Sequence, residues 1–240
     1  MATVVDFDRW LATAINGLPG RSPAFDTLVL ALAGNHLVKG GIVMSFVWAA
    51  WFCRCAPREV VLRRKKIVAT LAAAAVALFV SAVVQHLVPM RPRPVHDPTL
   101  FLRAPVGLPS DVMTNWSSFP SDHATLFFSL ATGLLFVSRP LGLAACTYVT
   151  FVIALPRVYV GWHYPSDVVA GAAIGVLLVW FAQSAAVRDR LATPVLAWAR
   201  RHPQTFHAAF FVLSYQVATL MEDSRSLANV ALRLLRGAAA

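Results

Sequence analysis

The sequence predicts an all-α fold: a polytopic membrane helical bundle of five to six transmembrane helices with short interfacial helices at its N-terminal end. Two observations carry this reading. Of 240 residues, 58% are hydrophobic and 13% charged, where a soluble domain carries about a quarter of its residues charged. The apolar residues also fall in runs long enough to cross ~30 Å of hydrocarbon, separated by short basic or proline-rich stretches. The formal net charge of +10 sits in the segments between apolar runs, where it reports membrane orientation, and no nucleic-acid partner is expected. Cys53, Cys55 and Cys146 fit no disulfide framework, and Cys53-x-Cys55 has neither the spacing nor the partner ligands of a zinc site. Met1 to Trp10 contains Asp6 and Asp8 and no apolar core, so no cleavable leader is expected and the first span acts as the insertion signal.

Taken in order, residues 1–35 form an N-terminal unit. Phe7, Trp10, Leu11, Ile15, Leu18, Phe25, Leu28 and Leu30 alternate with polar residues and are broken at Pro19-Gly20, which predicts interfacial or docking helices rather than a span. Residues 36–187 form the transmembrane core. Its first span runs from His36 to Phe52 and is followed by a basic block, Arg54 to Lys66. The second, Ile67 to Val88, is alanine-rich, which allows close helix approach. A proline-rich loop from Met90 to Phe119 is too long for a simple connection and reads as functional.

A third span runs from Ser121 to Val137 and a fourth from Leu141 to Leu155. A polar loop, Pro156 to Asp167, then leads into a fifth from Val168 to Ala186 that carries Gly171, Ala172 and Gly175. Residues 188–240 hold a further basic cluster, an apolar helix at 206–220 of marginal spanning length, and an amphipathic tail beyond Glu222. Alternating spans put eleven Lys or Arg on one side (Arg54 to Lys66, Arg139, Arg188 to Arg201) against Arg91, Arg93, Arg103 and Arg157 on the other. The richer side is cytoplasmic by the positive-inside rule, so both polar loops face out.

Three polar clusters share that outer face: Arg91-Pro92-Arg93-Pro94, Pro120-Ser121-Asp122-His123, and Arg157 to Asp167. Phosphoryl transfer needs cations around the non-bridging oxygens, an in-line nucleophile and an acid for the leaving oxygen. Arg93 and Arg157 would clamp a phosphate with forked donors. Ser121, at a helix N-cap, would add its hydroxyl and the first free amides. His163, oriented by Asp167, would attack phosphorus as a neutral imidazole, and His123 would protonate the leaving group and then activate water. Trp116, Trp162 and Tyr164 read most simply as belt aromatics.

Arg93-Pro94, Pro120-Ser121-Asp122-His123 and Arg157-x5-His163-x3-Asp167 resemble the three signature motifs of the type 2 phosphatidic acid phosphatase superfamily, in their usual order. The resemblance covers about residues 36–187. It implies a multi-span lipid phosphatase that uses neither metal nor other cofactor, with His163 as nucleophile, His123 as acid/base, Asp167 as orienter, and Arg93, Ser121 and Arg157 on the phosphate. Where the family's first motif places a lysine, this chain has His86, so either His86 or Arg91 would supply that charge. Asp122 stands where the second motif usually has glycine, either as a cap or to position His123 or a diphosphate, and Pro156 stands where serine often precedes the arginine. These departures look like the bacterial undecaprenyl-diphosphatase branch, which removes the terminal phosphate of the C55 carrier lipid at the outer face of the inner membrane. The resemblance thus implies undecaprenyl diphosphate as substrate and a place in peptidoglycan precursor recycling. A phosphatidic acid or phosphatidylglycerol phosphate phosphatase is the alternative within the class, and a non-catalytic lipid-phosphate binder or transporter the alternative outside it.

Overall fold

The computed structural model describes residues 4–109, 114 and 116–222, and all its regular elements are helical. Two short helices come first, α1 (Val4–Ile15) and α2 (Pro23–Gly34). The residues after α2 form a π-helical turn, Leu37–Gly41, that runs into α3 (Ile42–Trp51). Then come α4 (Pro57–Leu87), α5 (Asp122–Val137), α6 (Arg139–Tyr148), a second π turn (Val149–Ala154) continuing into α7 (Leu155–Tyr159), α8 (Pro165–Ala182), α9 (Ala185–Arg201) and α10 (Pro203–Ala218).

Among the described residues, three helical stretches are long and apolar enough to cross a membrane: α4, the continuous Arg139–Tyr159, and α8. A fourth results if α2 and Leu37–Trp51, bent by 63° where they meet, act as one span. The chain is therefore a multi-pass membrane protein.

Helix α5 is the axis of the bundle. It packs on α3, α4, α6 and α8, and most of its residues are buried, from His123 to Val137. A helix shielded by neighbours on every side needs no lipid-facing stripe, which is why α5 is short yet apolar. Against α4 the approach is close, since a Cβ added at Gly133 would sit 2.1 Å from the Thr70 side chain. Helix α4 buries small residues, Ala69 and Ala73 toward α8, while Val76 and Phe79 face outward. Against α8 the near neighbour is backbone. A Cβ added at Gly171 would sit 2.5 Å from the Ser121 carbonyl oxygen, and one at Gly175 the same distance from that of Thr125. No side chain fits there, so the two glycines fix how near the third motif's helix lies to the second motif's N-cap.

Several boundaries differ from those expected. The basic block is not a loop after the first span: Pro57 at the first helical turn starts α4 there, and Arg58 to Lys66 are helical, with Arg63 paired to Glu59 at 2.8 Å. Arg188 to Arg201 likewise form α9, which carries Pro194 within it. Helix α2 meets Leu37–Trp51 at a bend of 63° next to Asn35, where α2 ends. Arg157 belongs to a helix, α7, rather than to the polar loop, since the fourth span runs on to Tyr159. The amphipathic tail beyond Glu222 lies outside the described residues.

Candidate active site

The three sequence clusters meet at one end of α5. Ser121 caps that helix, its hydroxyl accepting from the Ala124 N–H at 3.4 Å, and its own N–H donates to the Asp167 carbonyl at 3.1 Å. The loop after α4 is joined to the third cluster by the Val95 N–H donating to the Gly161 carbonyl at 2.9 Å. Gly161 has φ +75, and a Cβ there would meet Val95 at 3.0 Å, so this crossing requires glycine.

His163 is buried, and the bonds on its ring define its tautomer. Nδ1 lies 2.8 Å from the Ser118 carbonyl oxygen. A carbonyl only accepts, so Nδ1 carries the hydrogen and Nε2 of the neutral ring keeps its lone pair. That Nε2 lies 3.4 Å from Nη1 of Arg93. Burial, then the nearby Arg93 and Arg157, push the His163 pKa well below 6.5, against a smaller opposing effect of the Ser118 carbonyl. These surroundings favour the neutral ring, with its lone pair on Nε2.

Asp167 is wholly buried, and its Oδ2 is 3.8 Å from His163 Nδ1 while accepting the Tyr164 N–H at 2.7 Å. The closer orienter of His163 is therefore a backbone carbonyl, and Asp167 adds negative charge behind it. Its other oxygen is paired with Arg91 Nη1 at 2.5 Å. Arg91 also donates through Nη2 to Asp8 Oδ2 at 2.8 Å and through Nη1 to Ser166 at 2.9 Å, and its guanidinium lies 3.9 Å over the Tyr164 ring. Asp8, from α1, is buried and accepts from both the N–H and the hydroxyl of Ser166. The structure thus places Arg91 in an Asp8–Arg91–Asp167 chain.

Arg93 and Arg157 are both buried. Arg93 donates to the Trp162 carbonyl at 2.8 Å, and Arg157 to the Ala33 carbonyl at 3.3 Å, with its guanidinium 5.1 Å from the Trp162 ring. The Nε–H of each is buried with no partner among the described residues. Burial lowers the Arg93 pKa against the opposite pull of Asp122 and Asp167, but a guanidinium stays charged in proteins. Two buried, incompletely satisfied guanidinium groups beside a neutral imidazole are the donor set of an oxyanion site.

His123, the second residue of α5, is buried, makes no ring hydrogen bond to any described residue, and lies in the field of Arg157, Lys39, His163 and Arg93. Asp122 turns toward α4, where Oδ1 accepts from Ser81 and from Gln85, each at 2.8 Å. His86 is exposed, its ring bonded to the Ala82 carbonyl of its own helix. Trp162 and Tyr164 are buried in the wall of the site, not spread in an interfacial belt, because both stack on its arginines; Trp116 is exposed. Sequence reasoning missed Asp8, the Ser118 carbonyl and Lys39. Of these, Lys39 carried a signal: an ionisable residue inside an apolar span. Among the described residues no group of three or more His, Cys, Asp or Glu side chains is placed to hold a metal ion.

An all-helical, membrane-embedded bundle with a neutral histidine and two arginines at one helix end is a membrane phosphohydrolase. The family model for the PAP2 superfamily matches residues 66–190, and the chain belongs to that superfamily. It is 27% identical to YbjG of Escherichia coli (strain K12) over 187 residues, 75% of this chain and 86% of that one. It is 23% identical to the undecaprenyl-diphosphatase BcrC of Bacillus subtilis (strain 168) over 168 residues, 69% of this chain and 77% of that one. The crystal structure of a transmembrane PAP2-type phosphatidylglycerolphosphate phosphatase from Bacillus subtilis superposes with a TM-score of 0.51 at 19% identity, covering 75% of this chain and 84% of that one, a likeness of fold.

Proposed function

We propose that this protein removes the terminal phosphate of a prenyl diphosphate, converting undecaprenyl diphosphate to undecaprenyl phosphate through a phosphohistidine. The observation that carries the mechanism is the placement of the His163 Nε2 lone pair beside Arg93. The name of the related BcrC supports the substrate. Nε2 attacks the terminal phosphorus, and the bond to the bridging oxygen breaks in line. His123 gives its proton to that oxygen, and undecaprenyl phosphate leaves. The positive charge on the phosphorylated imidazole is met by the Ser118 carbonyl at Nδ1 and by Asp167. His123, now neutral, takes a proton from water as its oxygen attacks phosphorus; the N–P bond breaks, its electron pair returns to Nε2, and phosphate leaves. Arg93, Arg157 and the α5 N-terminus at Ser121 hold the equatorial oxygens.

With residues 36–187 as the catalytic core, the stretch Leu37–Trp51, α4, α5, Arg139–Tyr159 and α8 make five spans, and α10 beyond the core a sixth. The site then opens on the outer face of the bacterial inner membrane, as the excess of basic residues at the opposite end requires.

Purified protein should release phosphate from undecaprenyl diphosphate in excess EDTA at the rate seen without it. Phosphatidic acid and phosphatidylglycerol phosphate, assayed in the same detergent, should be slower. Dependence on added metal would overturn the mechanism, and faster glycerolipid hydrolysis would overturn the substrate.

The protonation of His163 is directly checkable. A pKa held below 6.5 means that the ring stays neutral as pH falls through 6.5 and takes its proton only below it. Nitrogen-15 resonances of ring-labelled protein in nanodiscs, assigned with His163→Gln, should show the Nδ1–H tautomer at pH 6.5. An imidazolium at that pH contradicts the site's electrostatics.

A further inference from the structure

Lys39 is 4% exposed, within the π turn at the bend of the first span. Its ammonium makes no hydrogen bond or ion pair with any described residue, yet it is not sealed off as the Nε–H groups of Arg93 and Arg157 are. An unpaired buried ammonium is costly, and folded proteins retain one where it has a ligand. The π turn is itself fixed in place. The Tyr148 hydroxyl donates to the Val38 carbonyl at 2.6 Å, Asn35 accepts from the Val38 N–H at 3.1 Å, and a Cβ on Gly40 would clash with the Ala218 backbone at 2.1 Å.

The turn also adjoins the site, because Arg157 donates to the carbonyl of Ala33 at the end of α2. The Lys39 charge acts on Arg157 and on His123. The acidic group acting on it is Glu222, whose carboxylate is paired with His36 at 3.1 Å.

We propose that Lys39 is a third anion-binding cation of the site, reaching it from the bend that Arg157 binds, to hold the phosphate that departs with the lipid, so that it selects diphosphates over monophosphates. This rests on the phosphohydrolase reading above. A monophosphate ester leaves as an alcohol, which the His123 proton alone neutralises. A diphosphate leaves as a lipid phosphate that gains negative charge as the bridging bond breaks, and a further cation in the site stabilises that charge.

The test is Lys39→Met, close in shape but uncharged, with Lys39→Arg as the charge-retaining control. Lys39→Met is expected to lower kcat/KM on undecaprenyl diphosphate about 100-fold and on undecaprenyl phosphate less than about 10-fold, while Lys39→Arg keeps much of the preference. Its thermal midpoint should not fall, since an unpaired buried charge is removed. Equal losses on both lipids, or none, overturn the proposal.

A second measurement needs no turnover. Inorganic diphosphate should raise the wild-type thermal midpoint at lower concentration than inorganic phosphate does, and Lys39→Met should erase that difference; an undiminished difference in the variant also overturns the proposal. Wild type that binds diphosphate in this way yet hydrolyses no lipid phosphate would count against the phosphohydrolase reading and leave the role of Lys39 standing.

Discussion

His163→Ala should reduce phosphate release from undecaprenyl diphosphate by about 10⁴-fold or more, the scale on which loss of a covalent nucleophile is felt. The expectation follows from the Nε2 lone pair, which no other group near Arg93 duplicates among the described residues. His123 lies within the same set of charges, but in the proposed mechanism it is the acid, and moving it to the nucleophile's place would leave the departing oxygen without a proton. Rapid quench in alkaline SDS of wild type mixed with ³²P-labelled substrate should trap a phosphoenzyme that is stable to base and lost on acidification. His123→Ala should still trap it from a diphosphate, slowly formed and slowly hydrolysed, while His163→Ala traps none. Turnover by His163→Ala within tenfold of wild type would end the phosphohistidine mechanism.

The second large effect is expected at Arg93. Arg93→Lys keeps the charge but loses the fork: Nη1 donates to the Trp162 carbonyl at 2.8 Å and lies 3.4 Å from His163 Nε2, while Nη2 reaches the Ser117 carbonyl at 3.5 Å. A lysine able to reach Trp162 has no second, rigidly placed donor for an equatorial oxygen. We expect kcat/KM to fall about 10²–10³-fold, mostly in kcat, since the lost bonds tighten as charge develops in the transition state. The buried shell should tolerate the change, so circular dichroism and the melting midpoint should stay near wild type. A change confined to KM would mean that Arg93 binds substrate and transition state alike.

Much of the site could be read from the chain because its chemistry is local. Arg93, Ser121, His123, Arg157, His163 and Asp167 lie in short motifs, and the ends of apolar runs predict that those motifs share a face. What was hidden depends on the third dimension. The Ser118 carbonyl orients His163 more closely than Asp167 does, and a backbone group has no signature in sequence. Arg91 was one of two candidates for a missing phosphate-binding charge, but its partner Asp8 lies 83 positions away, at a place legible only as the polar side of a short helix. Arg157 looked like loop because hydropathy falls before the helix ends: an arginine in the last turn lowers the local average without breaking the backbone bonds. Asn35 marks a bend that hydropathy cannot distinguish from the end of a helix.

The chain from Asp8 through Arg91 to Asp167 gives the first helix a second role. Helix α1 turns Phe7 and Trp10 outward and Asp8 inward, so the residues suited to wetting the lipid headgroup region and the one holding the catalytic carboxylate's partner are on the same twelve-residue rod. Lifting that rod from the bilayer would unseat the Arg91 clamp and free Asp167 to shift behind the imidazole. If the proposed role of Asp167 holds, a harsh detergent should inactivate the protein before it unfolds the bundle.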